Sequence, residues 1–426
     1  MHALDPLLEE YRITSNGFLP AEAPLTRLPD PYYQPWELII EKLPALLLSQ
    51  RFRGAVDSMP VLNTSMLSLE TEWRRAYLIL AFFTHAYIWG GEKPSQRLPP
   101  SITVPFLKVA GHLGLPPTAT YAALNLWNFG CLSSDGNFRI PENLLVLHTF
   151  TGSMDEAWFY LISVAIEAEG ASSIPLMLNA IDAAKVGDAS TVIRSLKALS
   201  RVFEKLGDLL DRMYEHCDPH VFYHHIRPYL AGSKHMAKAG LPQGVFYDEG
   251  DGKGSWREYS GGSNAQSSLI QFFDIVLGLQ HHPTGSQSSS APKNNEHGFI
   301  NEMRNYMPGP HRRFLKYLVS TSNILSFVES QPANTALSQA YAECVAELRR
   351  FRDRHIQIVS RYIILQASKP QPFSHHSRQN LATATSEETQ GKVASEMYGT
   401  GGTTLISFLK QSRDETRVYT ASSNNN

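Results

Sequence analysis

A histidine on a hydrophobic helical stripe is the first candidate for chemistry in this chain. Leu337, Tyr341, Cys344, Leu348 and Phe351 recur at alternating spacings of four and three residues, and the same count reaches His355 and then Ile358 or Val359. An α-helix repeats every 3.6 residues, so the pattern predicts one buried stripe with an imidazole in it. A buried imidazole needs a hydrogen-bond partner or a metal. It is therefore either a hydrogen-bonded core histidine or, through a neutral ring nitrogen, an axial ligand to haem iron. Arg352 lies one helical turn before it.

Three other places carry polar groups among apolar ones. Ser163 interrupts the face Phe159-Ile162-Ser163-Ile166; such a hydroxyl either bonds its own helix backbone or faces a ligand. Arg227 follows Tyr223 by one turn and neighbours Phe222 and Ile226. It is either a surface ion-pair partner or a bidentate clamp for a carboxylate. The run Gly261-Gly262-Ser263-Asn264-Ala265-Gln266-Ser267-Ser268 reads as a loop opening a helix, a place where backbone amides can meet a phosphate. It lacks the Walker lysine and a preceding strand pattern, which excludes a nucleotide site of that kind. The adjacent pairs His224-His225, His281-His282 and His375-His376 point about 100° apart on a helix and read as solvated rather than chelating. No Gly-x-Ser-x-Gly, His-Glu-x-x-His or Gly-x-Gly-x-x-Gly is present.

Helices must position these groups, since no sustained strand alternation is visible. Residues 1–35 are Pro-rich and read as a surface wrap. Trp36 to Gln50 and Glu70 to Trp89 read as amphipathic helices, and Pro116-Pro117 opens another that carries Tyr121, Leu124 and Trp127. Asp135-Gly136-Asn137 marks a turn suited to a small hairpin. A new unit begins near residue 150, where Ser153 and Glu156 form a capping box before an apolar helix ending at Gly170. Val192, Leu196, Leu199, Phe203, Leu206, Leu210 and Met213 then outline a long helix with a narrow seam. Asp218-Pro219 caps a helix running to Gly232 with a kink at Pro228, and Asn264 to Leu279 and 337–366 are further helices. Segments 283–297 and 367–398 are polar and read as flexible. The second ends in Gly399-Thr400-Gly401-Gly402-Thr403, before a short helix at Leu405 to Gln411, a combination suited to an active-site lid.

The chain has 426 residues, enough for two domains, and a formal net charge of −2, which gives no reason to expect nucleic acid or an anionic membrane as partner. Its three cysteines, Cys131, Cys217 and Cys344, are far apart and form no CxxC pair, so neither a disulfide framework nor a zinc site is expected. The N-terminus lacks a basic region followed by an apolar run, and the longest apolar stretch, Tyr77 to Trp89, is too short to span a bilayer. The expectation is a soluble, cytoplasmic protein without a membrane span.

Taken in order along the chain, the motifs Gly261-Gly262-Ser263, Gln266-Ser267-Ser268, Met307-Pro308-Gly309-Pro310-His311-Arg312, Arg354-His355-Ile356-Gln357-Ile358-Val359 and Gly399-Thr400-Gly401-Gly402-Thr403 resemble the indoleamine 2,3-dioxygenase family, from about Trp36 to Lys410. The resemblance implies an all-α fold, with a small, mostly helical N-terminal domain (1–150) covering the distal pocket of a large helical haem domain (151–426). It implies haem b (iron protoporphyrin IX) as cofactor, with His355 as proximal iron ligand and Arg352, Asp274 and Ser263 around the cofactor. Ser163 matches the distal hydroxyl, Tyr121 and Phe159 the indole-pocket aromatics, Phe222 and Arg227 the residues that pack on the substrate and grip its carboxylate, and Thr400 a lid residue near the substrate ammonium. The implied reaction inserts both atoms of O2 into the indole 2,3-bond of L-tryptophan to give N-formylkynurenine, the first step of the kynurenine pathway towards NAD. It would be carried out by a monomer served by a reductant of the haem iron. Tyr223 stands where many relatives have a second phenylalanine, while Asn125 and Asn264 add amides near the pocket. The rival reading is a catalytically weak haem protein that binds or senses indole compounds or signals through partners.

Overall fold

The computed structural model describes residues 6–132, 136–279, 298–369, 409–410 and 413–414. The expectations for 283–297, for 370–398, for Thr400 and for the pairs His281-His282 and His375-His376 lie outside these residues. Among the described residues, eight helices of nine residues or more make the frame: α1 (Glu70–Trp89), α2 (Pro100–Leu113), α3 (Met154–Gly170), α4 (Ser173–Lys185), α5 (Ala189–Asp211), α6 (Ser268–Val276), α7 (Gly309–Thr321) and α8 (Thr335–Val359). The fold is thus mostly helical, as expected.

The two seams read from the sequence meet each other. α5 and α8 form the most extensive helix pair, and Leu196, Leu199 and Leu206 on one and Leu337, Cys344 and Leu348 on the other are fully buried. At Gly207 the helices come so close that a Cβ would stand 3.0 Å from Nη1 of Arg354, and that guanidinium pairs with Asp208 at 2.8 Å and Asp211 at 2.9 Å. The residue next to His355 therefore pins α8 to α5. The Ser153 hydroxyl caps α3 by accepting from the Glu156 N–H. The box is open on its other side, because the buried Glu156 carboxylate accepts from the N–H groups of Phe150 and Thr151 instead of Ser153.

Several expectations are corrected. The helix foreseen over Trp36–Gln50 is two short helices, Gln34–Glu41 and Leu43–Leu48, because Pro44 has no N–H to continue the ladder and disfavours helical backbone just before it. Pro116-Pro117 does not open a helix: α2 ends on the left-handed Gly114 (φ 66°) and helical backbone resumes only at Tyr121. The segment 264–279 starts as a 3-10 turn, Asn264–Gln266, and α6 begins at Ser268 with Ser267 as its cap. The helix after Pro219 ends at Leu230 rather than Gly232.

Strands are also present. β1 (Arg97–Leu98) pairs parallel with β4 (Val245–Gly250), which pairs antiparallel with β5 (Lys253–Arg257); β2 (Phe129–Cys131) pairs antiparallel with β3 (Leu144–Val146), and Asp135 of the turn expected between them lies outside the described residues. The β4–β5 turn is Asp251-Gly252, both at positive φ (53° and 74°), the hairpin signal that the sequence reading passed over. Elements on either side of residue 150 share the first sheet. Among the described residues, the stretch 154–185 is long and apolar enough by composition to cross a bilayer; 78% of its most apolar window is buried inside the fold.

Candidate functional site

Every predicted site residue that the structure describes opens on one cavity. Tyr121, Phe159, Ser163, Phe222, Arg227, Ser263, Asp274, Arg352 and His355 all line it, and Leu409 reaches it from beyond the segment that holds Thr400. The wall is mainly apolar, with Leu124, Ile162, Ile166, Leu210, Met213 and Ile270 contributing to it.

His355 does not sit in a closed core, the first of the two alternatives that its stripe left open. At its position the stripe opens, so the ring lies deep in the molecule yet keeps part of its surface towards the cavity. Burial and, secondarily, the Arg352 guanidinium pull its pKa down to about 4. At neutral pH the imidazole is therefore neutral, with a lone pair available to a metal. Arg352 forms an ion pair with Asp274 on α6, their side chains 11% and 7% exposed, so both charges stay largely shielded within the cavity wall.

The loop before α6 makes a second wall. A Cβ on Gly261 would meet the Leu230 carbonyl oxygen at 2.0 Å, and one on Gly262 would meet Leu124 Cδ1 at 2.4 Å. Gly261 is thus needed for packing against residues 230–232 and Gly262 for packing against Leu124, and Ser263 follows them into the cavity wall with its hydroxyl accepting from Ala265 N–H at 3.3 Å. Gln266, fully buried, ties the loop down: its side-chain oxygen accepts from Tyr121 N–H at 2.9 Å and its amide donates to the Gly261 carbonyl at 2.8 Å.

Across the cavity, Arg227 is buried (4% exposed), which rules out the surface ion pair considered from sequence. Its guanidinium carbon lies 5.5 Å from the centre of the Tyr223 ring, and burial lowers its pKa while leaving the group charged, as arginine remains in proteins. Phe222 packs on Phe159 with ring centroids 4.9 Å apart and on Tyr362 at 5.7 Å. Ser163 donates to the Phe159 carbonyl of its own helix at 3.3 Å, the backbone-bonding alternative, while still lining the cavity. Asn125 also lines the cavity; its amide donates to the Tyr121 carbonyl at 3.3 Å and its side-chain oxygen is buried with no hydrogen-bond partner among the described residues.

Three wide π turns, Ala122–Leu126, Phe222–Ile226 and Ser360–Ile364, each supply cavity residues: Leu124 and Asn125, Phe222, and Tyr362 and Ile363. Such turns widen the helix locally and gather at functional sites. Sequence reasoning missed Tyr362, Gln266 and Glu167. For Glu167 a signal existed: a carboxylate one turn beyond Ser163, on the same face as that hydroxyl.

The family model described as indoleamine 2,3-dioxygenase matches residues 7–419. An indoleamine 2,3-dioxygenase of Penicillium citrinum is 42% identical over 421 residues, covering 97% of this chain and 89% of the relative. One of Saccharomyces cerevisiae is 43% identical over 428 residues, covering 96% and 93%. A 6-hydroxytryptophan 2,3-dioxygenase of Fusarium equiseti is 37% identical over 409 residues, covering 96% of each.

Proposed function

Because the chain belongs to the indoleamine 2,3-dioxygenase family, whose members are haem-dependent oxidoreductases, we propose that it opens the indole 2,3-bond of L-tryptophan with O2 to give N-formylkynurenine. The observation that carries the substrate assignment is the convergence of His355 and the buried Arg227 on one apolar cavity. Tryptophan presents an apolar ring and a carboxylate, and this cavity offers aromatic walls and one buried cation.

The residues present fit haem. His355 offers a neutral imidazole, the cavity wall is apolar, and the Arg352–Asp274 pair supplies a charged edge beside it. We assign haem b to this cavity, with His355 as iron ligand and Ser263, Asp274 and Arg352 around the macrocycle. When bound, haem supplies the redox-active iron and the dioxygen chemistry.

The protein supplies position and environment. Phe222, Phe159 and Tyr121 bury the indole, a contribution of very roughly 2–3 kcal/mol for a side chain of this kind. Arg227 pairs with the substrate carboxylate, and its own burial strengthens that pairing by excluding water. The Ser163 hydroxyl reaches both the Phe159 carbonyl, at 3.3 Å, and the Tyr121 phenol, and its role is to shape the pocket. Cytoplasmic residence, a monomeric state and a small N-terminal domain over residues 1–150 belong to the same reading.

The test is direct: reduced, haem-loaded protein is mixed with L-tryptophan and O2, and N-formylkynurenine is followed by absorbance. A parallel assay with 6-hydroxytryptophan, the substrate in one relative's name, decides whether the ring is taken bare or hydroxylated. Haem binding without product from either substrate overturns the proposal.

A further inference from the structure

Glu167 stands behind the cavity wall without lining it. It lies on α3 one turn beyond Ser163 and is 1% exposed. Between it and the cavity are three hydroxyl groups, those of Tyr121, Ser163 and Ser267, all from lining residues. The Ser267 hydroxyl donates to Glu167 Oε1 at 2.6 Å. The Tyr121 phenol interacts with the same carboxyl group and also with the hydroxyls of Ser267 and Ser163. Oε2 is sealed from solvent with no close donor among the described residues.

Among the described residues no arginine, lysine or histidine acts on it, and Tyr121 is the one titratable side chain that faces it. The phenol itself stays neutral, since burial and the carboxyl beside it push its pKa well above the usual value. An isolated buried carboxylate is costly, and the group relieves that cost by binding a proton. Burial accordingly raises its pKa to about 7, with the two hydroxyl contacts working against the rise.

The two protonation states demand different hydrogen-bond patterns. A carboxylate only accepts, so Ser267 and Tyr121 both direct their O–H groups at it. A carboxylic acid donates once, so one of those partners must turn its own hydrogen elsewhere. The alternatives within reach of Tyr121 are the other two cavity hydroxyls.

We propose that Glu167 is a positioning residue that, by taking or releasing one proton, sets the direction of the Tyr121, Ser163 and Ser267 hydroxyls and so the hydrogen-bond donor offered to a small ligand at the iron. The inference rests on the haem reading above for the ligand, and on the side-chain cluster alone for the proton.

The test uses the ferrous holoenzyme with carbon monoxide, whose C–O stretch reports the distal hydrogen-bond donor. The stretch shifts between two values as pH is varied from about 6 to about 8, a window centred on the expected midpoint. In Glu167→Gln, which keeps the shape but cannot titrate, it stays at one value across the range; in Glu167→Asp a midpoint persists at a displaced pH. A wild-type stretch that does not move, or a Glu167→Gln variant that titrates like the wild type, overturns the proposal. The haem-free wild-type protein gives a second reading that needs no variant: the infrared carbonyl band of a protonated carboxylic acid must grow as pH falls through the same window, and its absence overturns the proposal too. Failure to form a carbon monoxide complex counts against the haem reading, while the carboxyl band still decides the fate of Glu167.

Discussion

Arg227 holds its guanidinium carbon 5.5 Å from the ring centre of Tyr223, the residue one turn earlier on the same segment. The aromatic face steadies a cation that burial would otherwise penalise, and it orients the guanidinium fork. Tyr223 thus supplies the aromatic face on which the cation rests. The charge is therefore set in position before a carboxylate arrives.

Arg227→Ala should raise KM for L-tryptophan at least tenfold while haem stays bound. Losing a charge-assisted pair costs about 1.5–3 kcal/mol, which corresponds to that factor or more. Arg227→Lys should recover only part of it, because an ammonium lacks the planar fork. Steady-state kinetics and tryptophan-induced changes in the haem spectrum measure both variants. Unchanged affinity in the alanine variant would place the carboxylate elsewhere.

His355→Ala should abolish stable haem binding and leave the helical content intact. The ring faces the cavity rather than the packed seam, so its removal leaves the α5–α8 contact untouched. Soret absorbance per mole of protein and far-UV circular dichroism report the two halves of this expectation. Protons and iron compete for the same ring nitrogen, and the apo-protein pKa is about 4. Haem retention in the wild type should therefore be flat from neutral pH down to about pH 5 and weaken below it. Full haem occupancy in His355→Ala would refute the ligand assignment.

The helical frame and most of the candidate site were readable because they follow from periodicity and motif order. The α5 and α8 seams obey a 3.6-residue repeat; Glu70–Trp89 emerged with the bounds expected of it but is not amphipathic, since every residue from Arg75 to Ala86 is buried. His355, Arg227 and Ser163 stood out as polar residues on apolar faces. The three π turns were not readable, since one extra residue per turn leaves no compositional mark. Gln266 escaped because its work is to bond two backbone groups from distant segments, which spacing cannot reveal. Periodicity left two alternatives for His355 because it says which face is apolar and not whether protein or a cavity covers it.

Gly261 and Gly262 should respond differently to alanine. At Gly261 the new methyl meets a backbone carbonyl oxygen at 2.0 Å and the Gly232 nitrogen at 2.4 Å, so main chain must move. At Gly262 it meets the tip of the Leu124 side chain at 2.4 Å, which can rotate, although Leu124 itself lines the cavity. Gly261→Ala should lose several kcal/mol of stability, in the range of severe core overpacking, and most of its haem. Gly262→Ala should cost about 1–2 kcal/mol and alter the haem spectrum while retaining the cofactor. Thermal melts with haem titration rank the two; equal, small effects would mean that the loop is free to shift.

Stability should fall with acid, and His85 should account for part of the slope. The ring is fully enclosed, with Nδ1 2.7 Å from the Tyr229 carbonyl and Nε2 2.9 Å from the Thr118 hydroxyl. Ala119 N–H donates to Nε2 at 3.1 Å, so Nε2 is the acceptor and the ring proton sits on Nδ1, donated to Tyr229. A second proton would oppose the Ala119 N–H, and burial holds the folded pKa at about 4 against an ordinary 6.5. The folded state thus binds fewer protons than the unfolded state between those values. His85 contributes fully above about pH 6.5, and its contribution is lost as pH falls towards 4, on the order of 3 kcal/mol in all. His148 and His311, also buried and depressed, act in the same sense, whereas Glu167, raised to about 7, opposes them. The decisive comparison is therefore between proteins: urea unfolding of the haem-free wild type and of His85→Gln at several pH values from about 4.5 to 7.5. The variant should show a slope shallower by up to one proton, about 1.4 kcal/mol per pH unit at most. Equal slopes would mean that the contacts of His85 to Thr118, Ala119 and Tyr229 do not depend on its charge.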